Sequence, residues 1–198
     1  MQRERQMKNM ADRFAVFDVE TPNSYNDRMS AIGVVIVDHG EIIREFGTLI
    51  NPETYFDSFN IRLTGITPQA VQDKPDFLTV WPILEDLFAD SILVAHNAPF
   101  DMGVLAKCLH DYGVCWKESA LYACTCRMGR VCYPSFCNHK LDTMCRELGI
   151  SLDHHKASSD ARACAELLID YTRQGLDAMQ FVRQYDFQTR RSRSPQRL

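Results

Sequence analysis

Phe14-Ala15-Val16-Phe17-Asp18-Val19-Glu20-Thr21 reads as a short buried strand that turns acidic at its end. A brief apolar run of this kind predicts a strand over residues 14–19. Strand side chains alternate, so Asp18 and Glu20 share one face while Phe17 and Val19 point to the other. Two carboxylates leaving the end of a core strand form a platform for Mg²⁺ or Mn²⁺, which prefer oxygen ligands. The plainer alternative is an edge strand carrying two solvated acids.

Outward from this strand, residues 31–37 read as a second strand, and the break Asp38-His39-Gly40 turns the chain into a third over 42–50, a hairpin signature. Asn51-Pro52 ends it, and Thr64-Gly65-Ile66-Thr67-Pro68 reads as a loop. Val80, Ile83, Leu84, Leu87 and Phe88 recur at helical spacing, residues 92–95 form a brief buried strand, and Asp101 opens a helix whose Val104, Leu105, Cys108 and Leu109 share a face. Residues 120–124 suggest a further strand. Leu141, Met144, Cys145 and Leu148 mark a helix stopped by Gly149, the last strong helix runs over 159–173, and a weaker one over 176–185. A three-stranded antiparallel meander followed by strands alternating with helices predicts an α/β fold, a mixed sheet flanked by helices.

The 198 residues fit one folded unit over 12–187, between a flexible N-terminus (1–11) and a disordered basic tail (188–198). With 45% hydrophobic residues the chain can bury a sizeable core. The charged N-terminus carries no secretory pattern, and the longest apolar run, 31–37, is far too short to span a membrane. A soluble cytoplasmic protein with reduced thiols is expected. Net charge is −4, but the ends carry seven bases and one acid, leaving 15 bases against 25 acids, or −10, on the body. Such a body attracts phosphate poorly unless cations neutralise part of it.

Two further clusters carry chemistry. Asp101 closes His96-Asn97-Ala98-Pro99-Phe100-Asp101 at a helix start. An acid is favoured there by capping and the helix dipole alone, yet the preceding strand aims this loop at the sheet edge where α/β proteins place their sites. His155-Lys156-Ala157-Ser158-Ser159-Asp160 puts a loop histidine before an acid in the first helical turn. A histidine there can accept a proton near neutrality, and His154 competes for that role.

Taken in order, these segments resemble the DEDDh family of 3′→5′ exonucleases, a superfamily that includes the proofreading epsilon subunit of bacterial DNA polymerase III, RNase T and oligoribonuclease. Phe17-Asp18-Val19-Glu20-Thr21, the segment from Ala95 to Asp101, and His155 followed after four intervening residues by Asp160 carry the resemblance. Leu63-Thr64-Gly65-Ile66-Thr67 and Lys140-Leu141-Asp142-Thr143 before Leu148-Gly149-Ile150 add to it, over about residues 12–172. The resemblance implies a ribonuclease H-like fold and a two-metal phosphodiesterase using Mg²⁺ or Mn²⁺. Asp18 would bridge the ions, Glu20 and Asp160 would complete one site, Asp101 would support the other through water, and His155 would deprotonate the attacking water. Val19 and Thr21 would meet the terminal nucleotide, and Asn97 and Phe100 would line its pocket. The implied substrate is a single-stranded nucleic-acid 3′ end, DNA before RNA, yielding nucleoside 5′-monophosphates, with a DNA polymerase subunit as a candidate partner. An RNA-trimming enzyme and a non-catalytic end-binding subunit are the alternatives. One departure stands out: the family continues with threonine and glycine after Thr21, where this chain has Pro22 and Asn23.

Six cysteines and His139 crowd residues 115–145, but their spacing fits no standard zinc knuckle. Small buried hydrophobes are the simpler reading.

Overall fold

The computed structural model describes residues 13–193. β1 (Arg13–Glu20), β2 (Ala31–Asp38) and β3 (Glu41–Leu49) form the expected antiparallel meander. The β2–β3 turn sits on His39 and Gly40 with φ of 50° and 78°, the left-handed pair that a two-residue hairpin requires. α1 (Ser58–Thr64) and α2 (Pro68–Val71) follow, and Gly65 at φ 73° caps α1. The segment expected as a plain loop is therefore the junction of two short helices. Then come α3 (Phe77–Phe88), β4 (Ile92–Ala95), α4 (Pro99–Asp111), β5 (Ser119–Cys124), α5 (Thr125–Cys132), α6 (Leu141–Leu148) and α7 (Ala157–Arg173). A 3-10 turn at Ala178–Phe181 leads into β6 (Arg183–Asp186) and β7 (Arg191–Arg193).

The strands lie in the order β3-β2-β1-β4-β5-β6-β7. β1, β4 and β5 are parallel, and the flanking strands antiparallel. Both faces of β1 are buried, which its alternation explains. Ala15, Phe17 and Val19 enter one core with α3 and α4, and Phe14 and Val16 enter the other with α7. Phe17 meets Phe88 edge to face at 5.4 Å. Asp18 and Glu20 continue the Phe14–Val16 face beyond the point where apolar packing ends, so the strand is a core element at one end and a polar platform at the other.

Two expectations at the C-terminus are corrected. Residues 176–185 are not a helix: Phe181, Val182 and Tyr185 fit a helical stripe, but Asp177 caps only a 3-10 turn and the chain then pairs with β5, burying Tyr185 against Tyr122 and Phe187. The disordered tail expected from residue 188 is ordered through 193, where Arg191–Arg193 pairs with β6 as an edge strand. Residues 1–12 and 194–198 lie outside the described residues, and with them the flexible N-terminus expected over 1–11. α5 escaped the sequence reading because Gly129 and two β-branched residues weaken its helical signal. The glycine is needed: a Cβ there would stand 2.7 Å from the Tyr171 hydroxyl oxygen of α7.

The approach of α7 to the sheet positions everything that follows. Gly33 on β2 lies opposite Asp18 in the strand register. A Cβ at Gly33 would fall 2.2 Å from the Ala157 carbonyl oxygen at the start of α7. Backbone atoms cannot yield as a flexible side chain does, so Gly33→Ala should force α7 outward. Overpacking of this kind costs about 1–3 kcal/mol, read as a lower urea midpoint; a midpoint equal to the parent's would refute this docking.

Candidate active site

Three chain crossings deliver four carboxylates to the sheet edge where β1 and β4 end. β1 supplies Asp18 and Glu20, the first turn of α4 supplies Asp101, and the first turn of α7 supplies Asp160. One oxygen each from Asp18, Glu20 and Asp160 lie within 4.8 Å of one another. Asp101 stands beside this trio: its Oδ1 accepts the Val19 backbone N–H at 3.3 Å, the amide between Asp18 and Glu20. Glu20, Asp101 and Asp160 are buried, at 7%, 2% and 4% exposure.

Burial and mutual repulsion act in the same direction here. Desolvation, then Asp101, Asp160 and Glu20, push the Asp18 carboxyl well above the ordinary range. Desolvation and the Asp160 charge raise Glu20 to about 7. Desolvation raises Asp160 to about 6, against the pull of the His155 amide and ring. Asp101 is raised chiefly by burial, despite its hydrogen bond from Val19. Asp160 Oδ2 accepts the His155 N–H at 3.1 Å, while Oδ1 is buried with no hydrogen-bond partner. An orphaned acceptor among like charges is what a cation would satisfy, and an all-oxygen donor set suits Mg²⁺ or Mn²⁺.

His155 enters α7 on a loop, with φ at 67°. Its ring stacks on His154 at 3.9 Å and 13°. Burial first, and His154 second, lower its pKa, leaving a neutral ring able to take a proton at pH 7. His155 lies on the loop before α7, as the sequence led one to expect. His154 is more exposed, with Nε2 3.9 Å from Asp160 Oδ2.

These groups open into a cleft of about 590 Å³, lined also by Val19, Thr21, Asn97 and Phe100. Phe100 is 40% exposed, so it is a wall of the cleft and not a core aromatic. Asn97 holds a left-handed φ of 66° between β4 and α4. Other lining residues had been given no place in the cleft from the sequence. Asn60 and Leu63 come from α1, where the buried Asn60 amide donates to the Thr21 carbonyl at 2.9 Å and to its hydroxyl oxygen at 3.1 Å. Arg130, Asn138 and Lys140 form a further wall, from α5 and the loop before α6. His96 ties that wall down. Its Nε2–H donates to the His139 carbonyl at 2.8 Å, and its Nδ1 faces the Thr125 hydroxyl at 3.0 Å. With burial lowering it to about 4, His96 is a neutral clamp and no base. The unusual Pro22-Asn23 turn is anchored as well: the Asp57 N–H donates to the Pro22 carbonyl at 2.9 Å, and Asn23 Nδ2 donates to the Tyr55 carbonyl at 3.0 Å. Tyr25 and Tyr55 are left exposed beside it.

The cysteines are dispersed in burial. Cys108, Cys124, Cys145 and Cys164 are interior, and Cys115 and Cys137 are on the surface.

Raised carboxylate pKa values have a definite sign in stability. Groups such as Glu20 and Asp160 bind protons more tightly when folded, so their contribution is full below about pH 4 and is lost as pH rises through about 6–7. Metal-free protein should therefore melt at lower temperature at pH 8 than at pH 5.5, and Mn²⁺ should restore stability at pH 8. Asp18→Asn should raise the metal-free melting temperature at pH 8, by about 2–4 °C for each kcal/mol of repulsion relieved. Calorimetry showing a fall for that variant would refute the repulsion.

Comparison with known proteins agrees with this geometry. A family model described as "Exonuclease", of RNase T type, matches residues 15–168. The PolC-type DNA polymerase III of Clostridium perfringens is 38% identical over 160 residues, covering 79% of this chain and 11% of that protein. Its Bacillus subtilis counterpart is 39% identical over 159 residues, with the same coverage. The chain thus spans about a tenth of the length of these relatives. Among solved structures, Exonuclease X in complex with 5′ overhanging duplex DNA superposes with a TM-score of 0.67 at 24% identity, covering 85% of this chain and 96% of that one. The nuclease domain of 3′hExo, a DEDDh family member bound to rAMP, gives 0.71 at 18%, covering 85% and 95%. These structural likenesses show the fold, a ribonuclease H-like mixed sheet, and the sequence match goes further: the chain belongs to the RNase T-type exonuclease family.

Proposed function

We propose that this chain is a metal-dependent 3′→5′ exonuclease that hydrolyses the terminal phosphodiester of single-stranded nucleic acid, DNA in preference to RNA, and releases nucleoside 5′-monophosphates. The observation that carries the reading is the convergence of Asp18, Glu20 and Asp160, with its orphaned oxygen, beside a neutral His155 in an open cleft.

Asp18, Glu20 and Asp160 would hold one divalent ion, and Asp18 with Asp101 the second, Asp101 through water. Bound there, Mg²⁺ or Mn²⁺ would supply charge for the attacking and leaving oxygens. The rest falls to the chain itself. His155 takes the proton of the attacking water, whose oxygen bonds to phosphorus as the bond to the penultimate 3′ oxygen breaks. Phe100 and Leu63 give the terminal base an apolar wall, while Val19 and Thr21 present backbone and hydroxyl to the sugar. Asn60 holds Thr21 in place. Arg130 and Lys140, lining the cleft, offset the acidic body where upstream phosphates would run.

The relatives' polymerase identity supports a DNA substrate and action together with a polymerase. Among the described residues no helix is long and apolar enough to cross a membrane.

A 5′-labelled single-stranded oligonucleotide should shorten from its 3′ end with Mg²⁺ or Mn²⁺ and stop with EDTA. Asp18→Ala and Asp160→Ala should abolish this while leaving the fold intact. His155→Ala should lower kcat by about 10²–10⁴-fold with little change in the metal concentration needed. Undiminished cleavage by the aspartate variants would sink the assignment, and binding of 3′ ends without cleavage would favour an accessory subunit. Faster loss of RNA than DNA would move the chain to the RNA-trimming branch.

A further inference from the structure

His154 and His155 are consecutive residues, and consecutive side chains on extended backbone point apart. Here the left-handed φ of 67° at His155 turns both rings to one side, where they stack face to face at 3.9 Å. One nitrogen from each ring and one oxygen of Asp160 lie within 4.8 Å of one another. Asp160 is only 4% exposed, and its Oδ1 has no hydrogen-bond partner. Asp160 therefore belongs to two separate donor groups, the oxygen-only trio with Asp18 and Glu20 and this nitrogen-rich one.

The two sets differ in chemistry. Carboxylates alone suit Mg²⁺ and Mn²⁺, whereas two imidazoles and a carboxylate suit borderline ions such as Zn²⁺, Co²⁺ and Ni²⁺. The geometry points to a second cation seat formed by His154, His155 and Asp160 that takes transition ions in preference to Mg²⁺. Ligands of a tetrahedral Zn²⁺ stand roughly 3.4 Å apart, given bonds of about 2.1 Å. His154, whose side chain is 37% exposed, can close the remaining gap by rotation. An ion held there occupies the His155 nitrogen and competes for Asp160. Zn²⁺ is then an inhibitor of the Mg²⁺-supported reaction; this consequence, unlike the binding itself, rests on the exonuclease reading.

Titration of the whole chain with Zn²⁺ in saturating Mg²⁺, followed calorimetrically, tests the seat. His154→Ala should weaken Zn²⁺ binding by at least about tenfold and leave Mn²⁺ affinity unchanged. His154→Gln should do the same, and melting curves of both variants report whether the fold is intact. The ratio of activity with and without Zn²⁺ should rise towards one in either variant. Equal Zn²⁺ affinity in parent and variants overturns the seat. So does Zn²⁺ binding that is lost in Asp18→Asn but kept in His154→Ala, because the ion would then sit among the carboxylates alone. A chain with no nuclease activity would defeat the exonuclease reading, while the Zn²⁺ titration would still decide this one.

Discussion

Like charges forced together at the end of a core strand are the constraint around which this fold is arranged. β1 is locked on both sides, antiparallel to β2 and parallel to β4, and its apolar residues are committed to two cores. Asp18 and Glu20 cannot retreat from the edge without pulling Val16, Phe17 and Val19 out of register. Asp101 is drawn in by the Val19 amide, and Asp160 by the close seating of α7 on Gly33. The scaffold thus spends core stability to hold a cluster that water would disperse, and a divalent cation is the natural remedy.

Local rules account for several devices around the cluster. Left-handed backbone at Asn97 and at His155 sits beside the acids, each at the entry to a helix. Strain of this kind, about 1–3 kcal/mol per residue, persists where surrounding structure over-determines it. The neutral His96 clamp and the Asn60 amide perform a quieter service, fixing one basic and one apolar wall at a set distance from the acids.

Much of this was legible in the sequence, for physical reasons. The first hairpin, β4, β5, α4, α6 and α7 announce themselves through short-range periodicity and glycine or proline punctuation. The residues Asp18, Glu20, Asp101, His155 and Asp160 each sit near an element boundary and taken singly had a plain explanation; the resemblance to an exonuclease family is what joined them into one expected site. Long-range pairing left no such trace. The segment entering β6 looked helical because a stripe of Phe181, Val182 and Tyr185 serves either period, and only β5 decides between them. α5 was hidden by Gly129, whose purpose lies across the molecule in Tyr171. Arg130, Lys140 and Asn60 were invisible as cleft residues because their role depends on which segments fold over the sheet edge.

The most direct test of the repulsion account is the proton balance of metal binding. With Glu20 near 7 and Asp160 near 6, the empty cluster at pH 6.5 holds protons that a divalent cation must expel. Mn²⁺ titration calorimetry in buffers of different ionisation enthalpy should show release of at least about one proton per chain at pH 6.5, decreasing as pH rises. Mn²⁺ binding with no proton release at any pH would contradict the idea that mutual repulsion among these carboxylates is what the metal relieves.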